Sequence, residues 1–338
     1  MSSPFVVDLS EVRLADRCLV GPKNAWLGEL AHHKEDLGIH VPVGFATTLS
    51  AYQQFLSNRD LVCLLSQELC NLPESGVGVR LVSRRARNLV VAHALSTDLK
   101  ASVVRAYEHL RQEVGSEPEL AVRSSTIVPG RTGDTPKGLN TSFLNIRGKA
   151  EMFAAVHHCF ASAFTDRALL YYLRNAIDPL SVSISVAVQP MVRSDLAAAG
   201  AMWTLNGGTD GVESVDISGS YGIGESVMQG VTKTDEWTVK DGKIISRRLG
   251  PKELKLVYEA NAGGTRLLDV AAADREQFCI SDADVLQLAS SARRVAQTFP
   301  TTCTHPKSME LEWAKDGLTG DLYILQATLA PCSEAPPV

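Results

Sequence analysis

The stretch MELEWAKDGLTGDLYILQAT, residues 309–328, contains two apolar-rich runs separated by a polar, glycine-containing turn. That pattern predicts a β-hairpin. Strict alternation along the first run turns Leu311 and Trp313 toward a core and leaves Glu310, Glu312 and Ala314 on the other face. Pairing of the two runs sets Glu312 beside Gln326. A carboxylate and an amide oxygen held side by side are hard oxygen donors that can grip the metal of a nucleoside triphosphate. An ordinary edge hairpin with solvated acids has the same pattern, and the stretch alone fits both readings.

Upstream of this hairpin, the second half of the chain is rich in strands: AMWTLN, VESVDIS and the pair EWTVKDGKIISRR, turned at Asp241-Gly242. A helix is expected from Ser281 to Gln297. The first half mixes strands at Val41–Thr48, Glu119–Thr126 and Ser181–Val192 with helices at Asn24–Leu37, Leu49–Leu56 and Ala150–Arg174, and with mostly helical sequence over Leu61–Val114. Antiparallel hairpins without regular βαβ spacing predict an α+β fold of two lobes with a cleft between them. The lobes are expected at residues 1–185 and 186–338.

A chain of 338 residues is long enough for two cores. Hydrophobic residues make up 45% and charged residues 21%, which excludes disordered and collagen-like classes. A formal charge of -5 provides no basic footprint for nucleic acid. Seven scattered cysteines without a C-x-x-C spacing read as reduced thiols. Neither a secretory leader pattern nor a membrane-spanning run is present, so the expectation is a cytoplasmic protein with no membrane partner.

Several positions are suited to phosphate chemistry. Lys23, in VGPK, would stand at a helix start as a point charge, or be merely solvated beside its Gly-Pro turn. Arg123 ends a strand just before Ser124, Ser125 and Thr126. Its planar fork suits bidentate phosphate contact, or a structural ion pair. The following loop, with Gly130, Gly133 and Gly138, could cradle phosphates through backbone N–H groups, or be only a loop. VQPMV, residues 188–192, could line a base with its backbone and apolar side chains, or be a plain buried strand. SYGIGES carries G-x-G without a βαβ context, and the eight histidines form no catalytic pattern.

Together VGPKNAWLGEL, VPVGFATTLSAYQQFL, AVRSST, SFLNIRG, CFASAFTDRA, VQPMVRSDLAAAGAMWTLN, SYGIGESVMQG, DEWTV and MELEWAKDG…LYILQA resemble the N-terminal nucleotide-binding domain of the phosphoenolpyruvate synthase and pyruvate phosphate dikinase family. The motifs are collinear from about Val20 to Ala327. The resemblance implies an ATP-grasp fold, with MgATP in the cleft between the lobes, and an ATP-dependent phosphotransferase. It assigns phosphate contact to Lys23 and Arg123, a phosphate-loop hydroxyl to Ser142, the adenine side to Gln189, Met191 and Val192, and the magnesium and nucleotide pair to Glu312 and Gln326.

This chain departs from the family at three points. Paired glycines before the lysine become Gly21-Pro22. An AGQQET-like loop becomes KGLNTS, which removes a carboxylate at Thr141. The terminal Q-A-R becomes Gln326-Ala327-Thr328, so an ATP-contacting arginine is absent unless Arg131 or Arg193 substitutes. Full-length members carry a phosphate-accepting histidine in a Gly-Gly-x-Thr/Ser-x-His-Ala setting that no histidine here occupies. The expectation is therefore the ATP-handling subunit of a split dikinase, similar to the corresponding subunit of phenylphosphate synthase. It would phosphorylate a histidine on a partner subunit, which passes the phosphate to a small acceptor such as phenol while AMP and phosphate leave. The alternatives are a degenerate nucleotide-binding regulatory subunit and a self-sufficient ATP-grasp kinase or ligase.

Overall fold

The computed structural model describes residues 4–70, 72–73, 77–130, 138–206, 212–259, 263–299 and 309–329. Arg131, Gly133 and His305 lie outside them. The chain divides into two compact units, Met1–Glu29 with Val43–Met191 and Leu30–Pro42 with Val192–Val338.

In chain order the elements run β1 (Val6–Asp8), α1 (Arg17–His32), α2 (Lys34–Leu37), β2 (Phe45–Thr47), α3 (Leu49–Phe55), α4 (Arg59–Leu69), α5 (Val77–Ala92), α6 (Thr97–Val114), β3 (Glu119–Ile127), β4 (Ser142–Arg147), α7 (Gly148–Ala161), α8 (Asp166–Arg174) and β5 (Ser183–Pro190). They continue with β6 (Ala198–Asn206), β7 (Val212–Tyr221), α9 (Glu225–Met228), β8 (Asp235–Lys240), β9 (Lys243–Arg248), β10 (Leu254–Tyr258), β11 (Thr265–Asp269), α10 (Ala272–Arg275), α11 (Asp282–Thr298), β12 (Met309–Lys315) and β13 (Leu322–Leu329). The fold is α+β, and every strand pairing within its sheets is antiparallel.

The first unit holds a five-stranded sheet in the order β1-β2-β5-β3-β4. Strand β3 pairs with β5 from Leu120↔Pro190 to Ile127↔Ser183. One face of this pair, with Val122, Val186 and Val188, is fully buried under the helices, in a core shared with Tyr52, Tyr107 and Phe160. Strand β5 is hydrogen bonded inside this sheet along its whole length, so the unit boundary follows Met191. The expected division at 185/186 cuts through that strand. Residues Leu30–Pro42, expected in the first lobe, belong to the second unit, where Ile324 N–H donates to the His40 carbonyl (2.9 Å).

The helix expected over Ala150–Arg174 is in fact two, because Thr165 adopts an extended conformation and its side chain caps the start of α8 by accepting from Ala168 N–H. The Asp241-Gly242 turn has φ values of 49° and 70°, the positive pair a type I′ hairpin requires.

The second unit holds a six-stranded sheet among the described residues, ordered β13-β12-β6-β7-β8-β9, with a separate β10-β11 pair. One face packs against α11 through Leu288, Ala292 and Val295. On that side Leu311 and Trp313 are completely buried, as alternation predicts, and the Trp313 indole donates to the Ser218 carbonyl (3.2 Å). A capping box at Ser281 and Asp284 starts α11.

Candidate functional site

The residues assigned to phosphate contact cluster on the first unit's sheet, on the face away from its helical core. There β3 presents Arg123 and Ser125, because Ala121, Arg123 and Ser125 alternate with the buried Leu120 and Val122. Arg123 is the cross-strand partner of Ser142 on one side and Ala187 on the other. Gln189 is the partner of Ala121, so it shares the face, where it is 3% exposed. Directly opposite residues in an antiparallel pair point the same way. Arg123, Ser142 and Gln189 therefore stand on one surface. The Nε of Arg123 is buried and has no hydrogen-bond partner among the described residues.

Lys23 reaches this face by way of α1. The helix breaks at Gly21, whose φ of 79° and ψ of 158° no other residue adopts comfortably, and resumes at Pro22. Proline suits a first helical turn because its missing N–H has no partner there in any case. Lys23 follows directly, and its N–H donates to Ser125 Oγ (3.2 Å), while Asn24 Nδ2 donates to Ser185 Oγ (2.8 Å). The Gly21-Pro22 pair thus keeps the lysine at a helix start, held against the same strands as Arg123.

The end of the glycine loop is clamped to β3. Thr141 N–H donates to Ser124 Oγ (2.8 Å) and Ser124 N–H to the Thr141 carbonyl (2.9 Å), while Asn140 Oδ1 accepts from both Thr126 N–H (2.8 Å) and its hydroxyl (2.9 Å). In KGLNTS the asparagine and threonine are thus spent on backbone anchoring. Gly138, with a φ of 88°, lies against the Arg167 guanidinium, so a further cation stands at the loop end. Arg167 lies in the CFASAFTDRA motif, where no local pattern marks it for phosphate contact.

In the second unit Glu312 and Gln326 are direct cross-strand partners, as the hairpin reading requires. Their face of the sheet is ordered in rows. Tyr323, Ala314, Ala199 and Ser220 form one, Gln326, Glu312, Ala201 and Ser218 the next, and Thr328, Glu310, Trp203 and Asp216 a third. As the alternation requires, Glu310 shares the face of Glu312 and is a second carboxylate there, 7% exposed. One feature was missed from sequence. A bulge adds Leu325 to β13, so Gln326 opposes Glu312 while Ile324 opposes Trp313, which no local pattern announces.

Beside the Glu312–Gln326 row lies a small apolar cluster, Val192, Ala199 and Ala314, flanked by Tyr323 and Leu325. Burial, with Asp321 and Asp316 nearby, raises the Tyr323 phenol above its ordinary pKa. Met191 closes the first unit, its N–H donating to the Glu119 carbonyl (2.8 Å). Arg193, the described candidate for replacing the absent arginine, is already engaged. Its Nε and Nη2 grip the Asp195 carboxylate at 2.9 and 3.0 Å, and its guanidinium stacks 4.9 Å from the Tyr258 ring centroid. Among the described residues no group of three or more His, Cys, Asp or Glu gathers around a common point to hold a metal by itself. A carboxylate with an amide oxygen fits magnesium when phosphate oxygens complete its shell.

The family described as "Pyruvate phosphate dikinase, AMP/ATP-binding domain" matches residues 17–330. The chain belongs to that family. Phosphoenolpyruvate synthase of Synechocystis is 36% identical over 346 residues, covering 96% of this chain and 41% of the relative. That of Neisseria meningitidis is 34% identical, covering 97% and 42%. Rifampicin phosphotransferase of Bacillus subtilis is 30% identical, covering 98% and 37%. The chain spans about two fifths of the length of these relatives. Among the described residues no helix is long and apolar enough to cross a membrane.

Proposed function

We propose that the chain is an ATP-grasp phosphotransferase component that binds MgATP and transfers a phosphoryl group to a histidine on a partner subunit. The observation that carries this reading is the convergence of Arg123, Ser142 and the Lys23 segment on one sheet face, with the Glu312–Gln326 pair in register on another. Lys23 and Arg123 neutralise phosphate charge, and Ser142 donates to a phosphate oxygen. Gln189, Met191 and Val192 line the adenine side, where Val192 joins the apolar cluster with Ala199 and Ala314. Glu312 and Gln326 would hold magnesium, with Glu310 a second carboxylate on their face. Magnesium held there would supply positive charge against the negative charge that develops on the transferred group.

Within residues 1–338 none of the eight histidines has the Gly-Gly-x-Thr/Ser-x-His-Ala setting of a phosphoacceptor, so the accepting histidine lies outside these residues. The reading extends to a phosphoenolpyruvate-synthase-like dikinase divided between subunits, with a phenol-like acceptor as in phenylphosphate synthase, and AMP and phosphate as products. Incubation with β-labelled ATP and the histidine-bearing part of a phosphoenolpyruvate synthase tests it. Label on that histidine is expected, and ATP binding without transfer or AMP formation would overturn the phosphotransferase reading.

Thr328 favours a second reading. It faces Glu310 across the hairpin where the resemblance calls for arginine, and Arg193 is held by Asp195. A site in which neither Thr328 nor Arg193 supplies that cation suits a nucleotide-binding regulatory subunit that no longer transfers phosphate, and the same experiment separates the two.

A further inference from the structure

Helix α5 carries two stripes at heptad spacing. The inner one, Val79, Ser83, Ala86 and Val90, is buried in the first unit's core. The outer one, Val77, Leu81, Arg84, Asn88 and Val91, repeats the same alternation of four- and three-residue steps and faces solvent, with Val77 76% exposed. That spacing is the a/d seam of a helix meeting another helix. The helix VGVRLVSRRARNLVVA holds four arginines and no acid, on a chain whose formal charge is -5. Arg85 reaches Glu68 at 3.5 Å, whereas Arg80 and Arg84 make no ion pair among the described residues.

We infer that the outer face of α5 is a docking surface for an acidic amphipathic helix on another protein. Val77, Leu81 and Val91 supply the apolar contacts of the seam. Arg84, within the seam, and Arg80 and Arg85 beside it select a partner with glutamate or aspartate at its flanking positions. A second copy of this chain is a poor occupant, because α5 against α5 brings arginine against arginine. A lipid surface is poorer still, since three aliphatic side chains without an aromatic make a narrow face for insertion. This inference does not depend on the nucleotide reading, because no residue on the seam belongs to the phosphate-binding face.

The test uses the full chain and a fluorescent 21-residue peptide with leucine at a and d and glutamate at e and g, followed by anisotropy. Binding is expected to weaken with added salt and to fall about tenfold or more in Arg84→Glu and in Leu81→Glu, both exposed substitutions, with unchanged melting temperatures. A peptide with lysine at e and g is expected not to bind. Three results would overturn the inference: no binding of the acidic peptide, equal binding by wild type and both variants, or equal binding of the lysine peptide. Sedimentation with phosphatidylserine vesicles that is lost in the variants, without peptide binding, would assign the face to lipid and overturn it too.

Discussion

Replacing Gly21 by alanine tests how Lys23 is delivered. At a φ of 79° and a ψ of 158° the backbone of Gly21 occupies a region essentially reserved for glycine. Forcing a side chain there costs on the order of 1–3 kcal/mol. The new Cβ would also fall onto Ser125 Oγ, 2.9 Å from Ser125 Cβ and 3.0 Å from its carbonyl oxygen. Ser125 must then move, and the hydrogen bond it accepts from Lys23 N–H, about 0.5–1.5 kcal/mol, is lost. The sum is about 1.5–4.5 kcal/mol, which for a unit of this size lowers the melting temperature by roughly 3–18 °C. Calorimetric melting gives the stability change, and titration calorimetry with ATP reports the displaced lysine. In the double variant Gly21→Ala/Ser125→Gly the clash with Oγ and Cβ disappears while the backbone strain stays, so recovery is expected to be partial. A melting temperature within 1 °C of wild type in Gly21→Ala, with unchanged ATP affinity, would refute the argument.

Four further outcomes are expected. Lys23→Ala and Glu312→Ala should each abolish AMP formation while leaving the melting curve intact, and unchanged turnover in either would sink that site assignment. Thr328→Arg places a guanidinium opposite Glu310 and is expected to tighten ATP binding several-fold; an unchanged affinity would mean that another cation already serves. Lys252 and Asp235 are both fully buried and joined at 2.5 Å, so Lys252→Met strands a carboxylate and should cost about 3–5 kcal/mol by urea denaturation. Burial works to raise the Asp284 carboxyl, but hydrogen bonds from Lys315 and Ser281 outweigh it and hold its pKa below the ordinary value. Its contribution is then full above the unfolded pKa and lost as pH falls through the folded one, so Asp284→Asn should flatten the acid limb of the stability profile.

Much of the architecture was legible because it depends on local patterns. The alternation around Leu311 and Trp313, the Asp241-Gly242 turn, the helix at Lys23 and the strand that carries Arg123 each follow from a few neighbouring residues, although β3 runs on to Ile127 and so holds Arg123 in its middle rather than at its end. The resemblance gave Arg123 and Ser142 separate phosphate roles, whereas their adjacency depends on strand register across a long loop and is seen only in the structure. What could not be read is non-local. Assignment of Leu30–Pro42 to the second unit depends on contacts such as the Ile324 to His40 hydrogen bond. The commitment of Arg193 depends on Asp195 and Tyr258, and a sequence shows the charge without its partner. The loss of the carboxylate at Thr141 looked like damage to a phosphate loop. In the structure Asn140 and Thr141 hold the loop's end to β3.

The extra residue at Leu325 makes the parity of β13 a heritable constraint. Tyr323 and Gln326 are three positions apart yet share a face, because the count between them is odd by one. Deleting Leu325, or inserting one residue beside it, would exchange the outward and inward sets over half the strand and turn either the tyrosine or the glutamine into the core. Length changes are better absorbed at residues 316–321, where Asp316 accepts from Leu318 N–H (2.8 Å) and the turn closes on its own backbone. Related chains are therefore expected to carry their gaps in that turn and to keep β13 uninterrupted. A relative with an indel inside the strand should be one that has given up the Glu312–Gln326 pair.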